Sequence, residues 1–207
     1  MSLRHSYPLA PFNESCDQMK TPVYMLGLGV ALLRQFFGTE DRISLEKSQF
    51  LWKEDQELSG LYIGYQDTHD FQVVGKRPAI IVQLNDTTYP QEVIGDSLKV
   101  DEATGGKAFL DHAVSSWTFL CFSDKATEAM ALAGEVKYFF QTYRQFLAPS
   151  YSLSKVRVVQ LGRYEKQKEY KDMYACPVTV AFDVYDNFEV QPEELRVSAI
   201  NLQLTKE

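Results

Sequence analysis

The segment from residue 114 to residue 147 constrains the fold of this chain more than any other stretch. It opens with a β-branched and aromatic run over residues 114–122, which is typical of a buried strand. Ser123 and Asp124 follow, and either side-chain oxygen can cap a helix by accepting a hydrogen bond from one of its first N–H groups. Apolar residues then recur at steps of three and four, as on one face of an amphipathic helix. They are Ala129, Leu132, Ala133, Val136, Phe140, Tyr143 and Leu147, with Met130, Phe139 and Phe146 widening the stripe.

This pattern predicts a helix over about residues 124–147, roughly 35 Å long at 1.5 Å rise per residue and so able to cross one face of a sheet. Pro149 is expected to end it, because proline lacks the N–H that a continuing helix needs. Further strands are predicted at 61–65, 79–84, 156–161 and 174–185. The 79–84 run is apolar on both faces, which predicts a place inside the sheet. We therefore predict an α/β (α+β) sandwich, a mainly antiparallel sheet with the long helix packed on it.

A second helix is predicted over about residues 22–37 and is expected to pack on the same sheet. Thr21 can cap it, Pro22 suits its first position and Gly38 can end it. Its predicted apolar face consists of Val23, Leu26, Val30, Leu33 and Phe37.

The 207 residues suit a single domain with additions at both ends. Residues 1–20 are polar, which predicts an extended arm. Residues 21–185 are expected to form one α/β core domain, and its segment 85–112 shows no period, which predicts a long flexible loop or a projecting hairpin. Residues 186–207 are a C-terminal extension.

Composition excludes several classes of function. The formal net charge of −7 argues against a broad nucleic-acid surface. The three cysteines are odd in number and far apart, and Cys121 and Cys176 fall inside predicted strands, which favours a reducing compartment. The first residues lack a secretory signal, and the most apolar run, 23–33, is too short to span a bilayer. A soluble intracellular protein without membrane contact is therefore expected.

No pattern in the sequence points to a metal, a cofactor or catalysis. The histidines are isolated and no Cys-x-x-Cys occurs, so a zinc site is not expected. Gly27 and Gly29 begin a dinucleotide-binding string, but no strand precedes them and the third glycine is missing. Cys121 and Cys176 have apolar neighbours, which would raise a thiol pKa rather than activate a nucleophile. A rival interpretation is an enzyme or ligand-binding domain with an acidic site in the 85–112 loop, built from Asp86, Asp96, Asp101 and Lys107.

Four segments are costly to order within one chain and suit surfaces that neighbouring copies cover. They are the arm, the 85–112 loop, the mixed-charge connector at 165–172 and the strand-like end at 195–204. The alternative is that they are variable loops and tails. The candidate subunit-contact residues are Glu165, Lys166, Lys168, Tyr170, Lys171, Leu195, Val197, Ile200 and Leu202.

Several stretches resemble a family of tailed-bacteriophage proteins of the neck and upper tail, which includes the tail terminator. They are Leu32-Leu-Arg-Gln-Phe-Phe37, Phe50-Leu-Trp52, Val74-Gly-Lys-Arg-Pro-Ala-Ile-Ile-Val82, Ser115-Ser-Trp-Thr-Phe-Leu-Cys-Phe122, the alanine-rich run 126–136 and Tyr174-Ala-Cys-Pro-Val-Thr-Val-Ala-Phe182. The arm and the C-terminal extension exceed the common core.

The resemblance implies an α/β sandwich that assembles into a ring, typically a hexamer, in a virion protein without catalysis or cofactor. Such a ring caps the tail tube, so the expected partners are further copies of the chain, the tail tube protein and the head–tail connector or adaptor proteins. DNA would pass through the lumen without specific binding, and the ring would assemble in the host cytoplasm before joining the virion. A terminator and another neck or tail-completion subunit stay open as alternatives.

Overall fold

A computed structural model of the chain describes residues 21–39, 50–55, 57–65, 77–90, 99–100, 107–151, 153–167 and 173–190. Within these ranges the helices are α1 (Pro22–Phe37) and α2 (Ala126–Tyr151). The strands are β1 (Tyr62–Tyr65), β2 (Ala79–Leu84), β3 (Lys99–Val100), β4 (Lys107–Ser123), β5 (Leu153–Leu161), β6 (Glu165–Gln167) and β7 (Met173–Val190).

The chain divides into two compact units, and the larger takes in residues 20–88 and 114–184 with both helices. In the other unit β3 pairs antiparallel with the start of β4, with Lys99 opposite Ala108. This pairing gives the 85–112 segment a hairpin, one of its two predicted forms. The predicted arm 1–20 and residues 191–207 of the predicted extension lie outside the described residues, so that part of the domain division stays a prediction.

The strands lie in one mixed sheet with the order β1-β2-β4-β7-β5, to which β3 adds beside β4 and β6 beside β7. β1 and β2 run parallel, whereas β2 with β4, β5 with β7 and β6 with β7 are antiparallel. The predicted α+β sandwich with a mainly antiparallel sheet is therefore confirmed. β2 lies between two other strands and its first four residues are buried, as its apolar run predicted.

Both helices pack on one face of the sheet through aromatic side chains. Trp117 of β4 lies with its ring centroid 4.0 Å from that of Phe182 on β7 and 5.9 Å from that of Phe140 on α2. Phe36 of α1 reaches Phe139 of α2 at 4.8 Å, which links the two helices. These rings are buried, and aromatic pairs with centroids about 4.5–7 Å apart, such as Trp117 with Phe140 and Phe36 with Phe139, contribute about 0.5–1.5 kcal/mol each beyond the burial of their area.

The opposite face of the sheet is apolar at one end and polar at the other. The apolar end is a buried cluster of Ala79, Ile81, Phe122, Met173 and Ala175, with Tyr62 and Leu120 packed against it. At the polar end the side-chain amide of Asn85 donates to the hydroxyl oxygens of Ser116, at 2.8 Å, and Thr118, at 3.0 Å. The sheet is therefore buried on both faces only along part of its length.

The helix predictions are wrong in three details. α2 continues past Pro149 to Tyr151, because a proline in the last turn removes only one intrahelical hydrogen bond. Met130 and Phe146 are exposed, so the buried stripe of α2 is narrower than the apolar pattern. Val23, expected on the apolar face of α1, is 79% exposed, because α1 is rotated so that Gly29 faces Trp117.

Two strand predictions also need correction. β4 begins at Lys107 rather than at residue 114, and residues 165–167 of the predicted connector form β6. Proline usually occurs on edge strands or at strand starts, yet Pro177 lies inside β7, which is flanked by β4 and β5. Its missing N–H is tolerated because it faces the break between β5 and β6, where its carbonyl accepts a hydrogen bond from the Gly162 N–H at 2.8 Å.

Candidate self-association surface

β5 forms one edge of the sheet. Within the described part of the chain it pairs with β7 alone. The chain then continues along the same side of β7 as β6, so residues 153–167 make one edge that is broken between Leu161 and Glu165. An edge strand presents backbone N–H and C=O groups with which another strand can pair.

Three large apolar side chains are exposed along this edge, and we call them the edge patch. They are Val159 (58% exposed), Leu161 (47%) and Tyr164 (48%). Tyr164 stands edge to face against Tyr174 of β7, with ring centroids 6.0 Å apart. Burial of apolar surface is favourable by about 25 cal/mol for each Å² removed from water. Covering the edge patch would therefore stabilise a contact with a partner.

The edge is basic in a chain that is acidic as a whole. Its exposed charged residues are Lys155, Arg157, Arg163, Glu165 and Lys166, four of them basic. The Lys155 ammonium lies 2.7 Å from a carboxylate oxygen of Asp183, which offsets part of its charge. A strand with acidic flanks is therefore favoured electrostatically over a basic one.

Two irregularities in the pairing of β5 limit which strands can add to this edge. The register between β5 and β7 shifts between Ser154 and Arg157, and again between Val158 and Gln160. Lys155, inside the first shift, has φ of 51°, in the left-handed region that side-chain-bearing residues rarely adopt. Because bulges bend a strand and interrupt regular pairing, they limit indiscriminate edge-to-edge association.

Gly162 allows the chain to turn from β5 into β6. Its N–H donates to the Pro177 carbonyl, and its own carbonyl accepts a hydrogen bond from the Cys176 thiol at 3.4 Å. A Cβ at position 162 would lie 2.5 Å from the Pro177 ring, closer than carbon atoms can approach. The close passage of the two chain segments therefore requires glycine here.

Only two of the predicted contact residues can be placed. Glu165 and Lys166 are exposed on β6, opposite Ala175 and Tyr174. Lys168, Tyr170, Lys171, Leu195, Val197, Ile200 and Leu202 lie outside the described residues, and their role stays a prediction.

Sequence reasoning missed Val159 and Leu161 as surface residues. It identified the strand at 156–161 but gave no reason to place it at an edge. A signal was present, because the apolar alternation breaks at Val158 and Val159 and basic residues stand on both sides of the run.

The structure describes only two of the four residues of the rival acidic site. Asp86 is exposed in the irregular segment after β2, and Lys107 is the first residue of β4. Asp96 and Asp101 fall in the ranges that the structure leaves undescribed. Among the residues that it does describe, no three His, Cys, Asp or Glu side chains group in a way that could hold a metal ion.

Both described thiols are buried and protonated, as their apolar neighbours predicted. Desolvation raises the pKa of Cys121 well above its ordinary value, and the nearby Cys176 raises it further. Burial also raises the pKa of Cys176. Since the thiolate is the reactive form, these residues act as core side chains.

Neither of the two helices described is long and apolar enough to cross a membrane. No known protein family matches the sequence, and no curated protein matches it.

Proposed function

We propose that this protein is a structural, ring-forming subunit of the neck or tail of a tailed bacteriophage, with the role of a tail terminator. The ring covers the end of the tail tube, stops its growth and offers the head connector a new surface. Its partners are further copies of the chain, the tube protein and the connector or adaptor proteins, and DNA passes through its lumen without specific binding. Another neck or tail-completion subunit is the alternative within this class.

The observation that carries the proposal is where the resembling stretches fall in the fold. Residues 32–37 end α1, 79–82 belong to β2, 115–122 to β4, 126–136 to α2 and 174–182 to β7. They contribute core aromatic residues that join the helices to the sheet, among them Phe36, Trp117 and Phe182. A resemblance carried by the packed elements supports a shared architecture, whereas one confined to loops would not.

The character of the β5 edge supports a ring over a symmetric dimer. An isologous contact joins two copies and closes, whereas a heterologous contact repeats from head to tail until a ring closes. Two β5 edges facing each other would bring together two chain segments that each expose Lys155, Arg157 and Arg163, and like charges across an interface disfavour the contact. A contact between this edge and a different, acidic surface avoids that cost.

Electron microscopy of tail tubes tests the proposal. The purified protein, mixed with tubes assembled from the tube protein of the same virus, is expected to form a ring at one tube end. Tubes capped in this way should not lengthen when more tube protein is added, whereas uncapped tubes should. Bare ends and unchanged elongation at saturating protein would overturn the proposal.

A further inference from the structure

We infer that the β5 edge accepts residues 195–204 of a second copy of this chain as an added strand. The inference rests on the proposed ring and names the two surfaces that meet in it. On the acceptor side, the edge patch supplies exposed apolar surface beside backbone groups that suit strand addition. The other edge of the described sheet, β1, has four residues, and none of them is exposed.

The donor segment has the composition of a strand. It reads Leu195-Arg-Val-Ser-Ala-Ile-Asn-Leu-Gln-Leu204, without glycine or proline and with Arg196 as its single charge. Ten extended residues span about 33 Å at 3.3 Å per residue, close to the span of a nine-residue strand such as β5. The segment begins five residues after Val190, where the last described strand ends.

Charge selects this donor over a second β5 edge. Glu193 and Glu194 immediately precede the donor segment, whereas Arg157 and Arg163 flank the apolar residues of the acceptor. Opposite charges across an interface favour the correct pairing and disfavour pairing of like surfaces. The two surfaces differ, so the contact is heterologous and can repeat around a ring.

Complementation between two full-length variants tests the contact. The acceptor variant carries V159K and L161K, and the donor variant carries I200K and L202K. Each is expected to be a monomer of about 23.7 kDa by light scattering, because each lacks one half of the contact. A one-to-one mixture retains one intact donor and one intact acceptor, so it should form a heterodimer of twice that mass and nothing larger.

A matched control separates this edge from exposed apolar surface in general. M130K and Y138K place the same two charges on the exposed side of α2, and this variant should keep the wild-type oligomer. Because the acceptor positions are exposed in the single chain, the circular dichroism spectrum of the acceptor variant should match that of the wild type. Its Tm should match that of the donor variant, since both lack the stabilisation that assembly gives the wild type. If either lysine variant fails to fold, a chain that carries both L161C and L202C provides a second test. Its oxidation should give a ladder of oligomers linked by intermolecular disulfides, whereas a chain with L161C alone should not give this ladder.

The outcomes separate this inference from the proposed function. A mixture that stays monomeric, or a cysteine pair that gives only the pattern of L161C alone, would overturn the inference. Lysine variants that still form the wild-type ring would overturn it too, but would leave the proposed ring standing. Complementation in a protein that never caps tail tubes would support the contact and overturn the proposed function.

Discussion

The indole Nε1 of Trp117 donates a hydrogen bond of 2.9 Å to the main-chain carbonyl of Met25, 92 positions earlier in the chain. The bond joins the first turn of α1 to β4 near the middle of the sheet. Trp117 is fully buried, so water cannot replace the bond when it is lost. It also fixes the rotation of α1, because it brings Gly29 rather than a larger residue against the indole ring.

Replacing Trp117 by phenylalanine should lower the free energy of unfolding by about 2–4 kcal/mol, since it removes a buried hydrogen bond and leaves a cavity. Urea denaturation measures the loss. Trp52→Phe is the matched control: Trp52 is half-buried and its ring lies under the Arg34 guanidinium at 5.4 Å, so its replacement should cost about 1 kcal/mol. Equal losses in the two variants would contradict the central position given to Trp117.

Two glycines of α1 should respond to alanine with opposite sign. A Cβ at Gly27 would meet no atom within 4 Å, so Gly27→Ala should raise the free energy of unfolding by about 0.5–1 kcal/mol through helix propensity. A Cβ at Gly29 would lie 3.2 Å from both the Trp117 Nε1 and a methyl carbon of Val82. Neither neighbour can move away in the packed core, so Gly29→Ala should lower the free energy of unfolding by about 1 kcal/mol or more.

Thermal denaturation of the two alanine variants checks the pair. Gly134→Ala on α2 is a further control, because a Cβ there also meets open space and should stabilise. Stabilisation by Gly29→Ala equal to that by Gly27→Ala would show that α1 does not approach the indole ring as described.

Gly162→Ala should destabilise the larger unit by about 1–3 kcal/mol, because its Cβ would overlap the Pro177 ring. The midpoint of urea denaturation should fall, whereas the slope of the free energy of unfolding against urea concentration should not change. An unchanged midpoint would mean that β5 and β6 do not pass Pro177 closely.

Stability should fall at alkaline pH because of the buried thiols. Burial raises the pKa of Cys121 in the folded state, whereas the pKa of a thiol in the unfolded chain is about 8.5. Above that pH the unfolded state loses a proton that the folded state keeps, so the free energy of unfolding decreases as pH rises. Urea denaturation at pH 7.5 and pH 9.5 should show a smaller decrease for Cys121→Ala than for the wild type. Equal decreases would place Cys121 in contact with solvent.

Local signals in the sequence predicted the elements that begin or end at capping, proline or glycine residues. Thr21 accepts a hydrogen bond from the Tyr24 N–H, Pro22 begins α1 and Gly38 follows its end, as predicted. β2 has the predicted bounds of 79–84, because an apolar run between a proline and an asparagine leaves little freedom in where a strand begins and ends.

Features that depend on distant parts of the chain could not be predicted. The rotation of α1 is set by Trp117, which no pattern within residues 22–37 contains. Pro177 is tolerated inside β7 because the neighbouring edge is broken at Gly162, a tertiary relationship. Likewise, the exposure of Val159 and Leu161 depends on β5 lying at the end of the strand order, which composition alone does not fix.

The mass of the purified full-length chain in solution, measured by light scattering over a hundredfold range of concentration, tests self-assembly most directly. A ring-forming subunit is predicted to give one closed oligomer, a constant multiple of 23.7 kDa, and six copies would agree with the proposed terminator. A mass of 23.7 kDa at every concentration would contradict the ring and the strand contact proposed for the β5 edge.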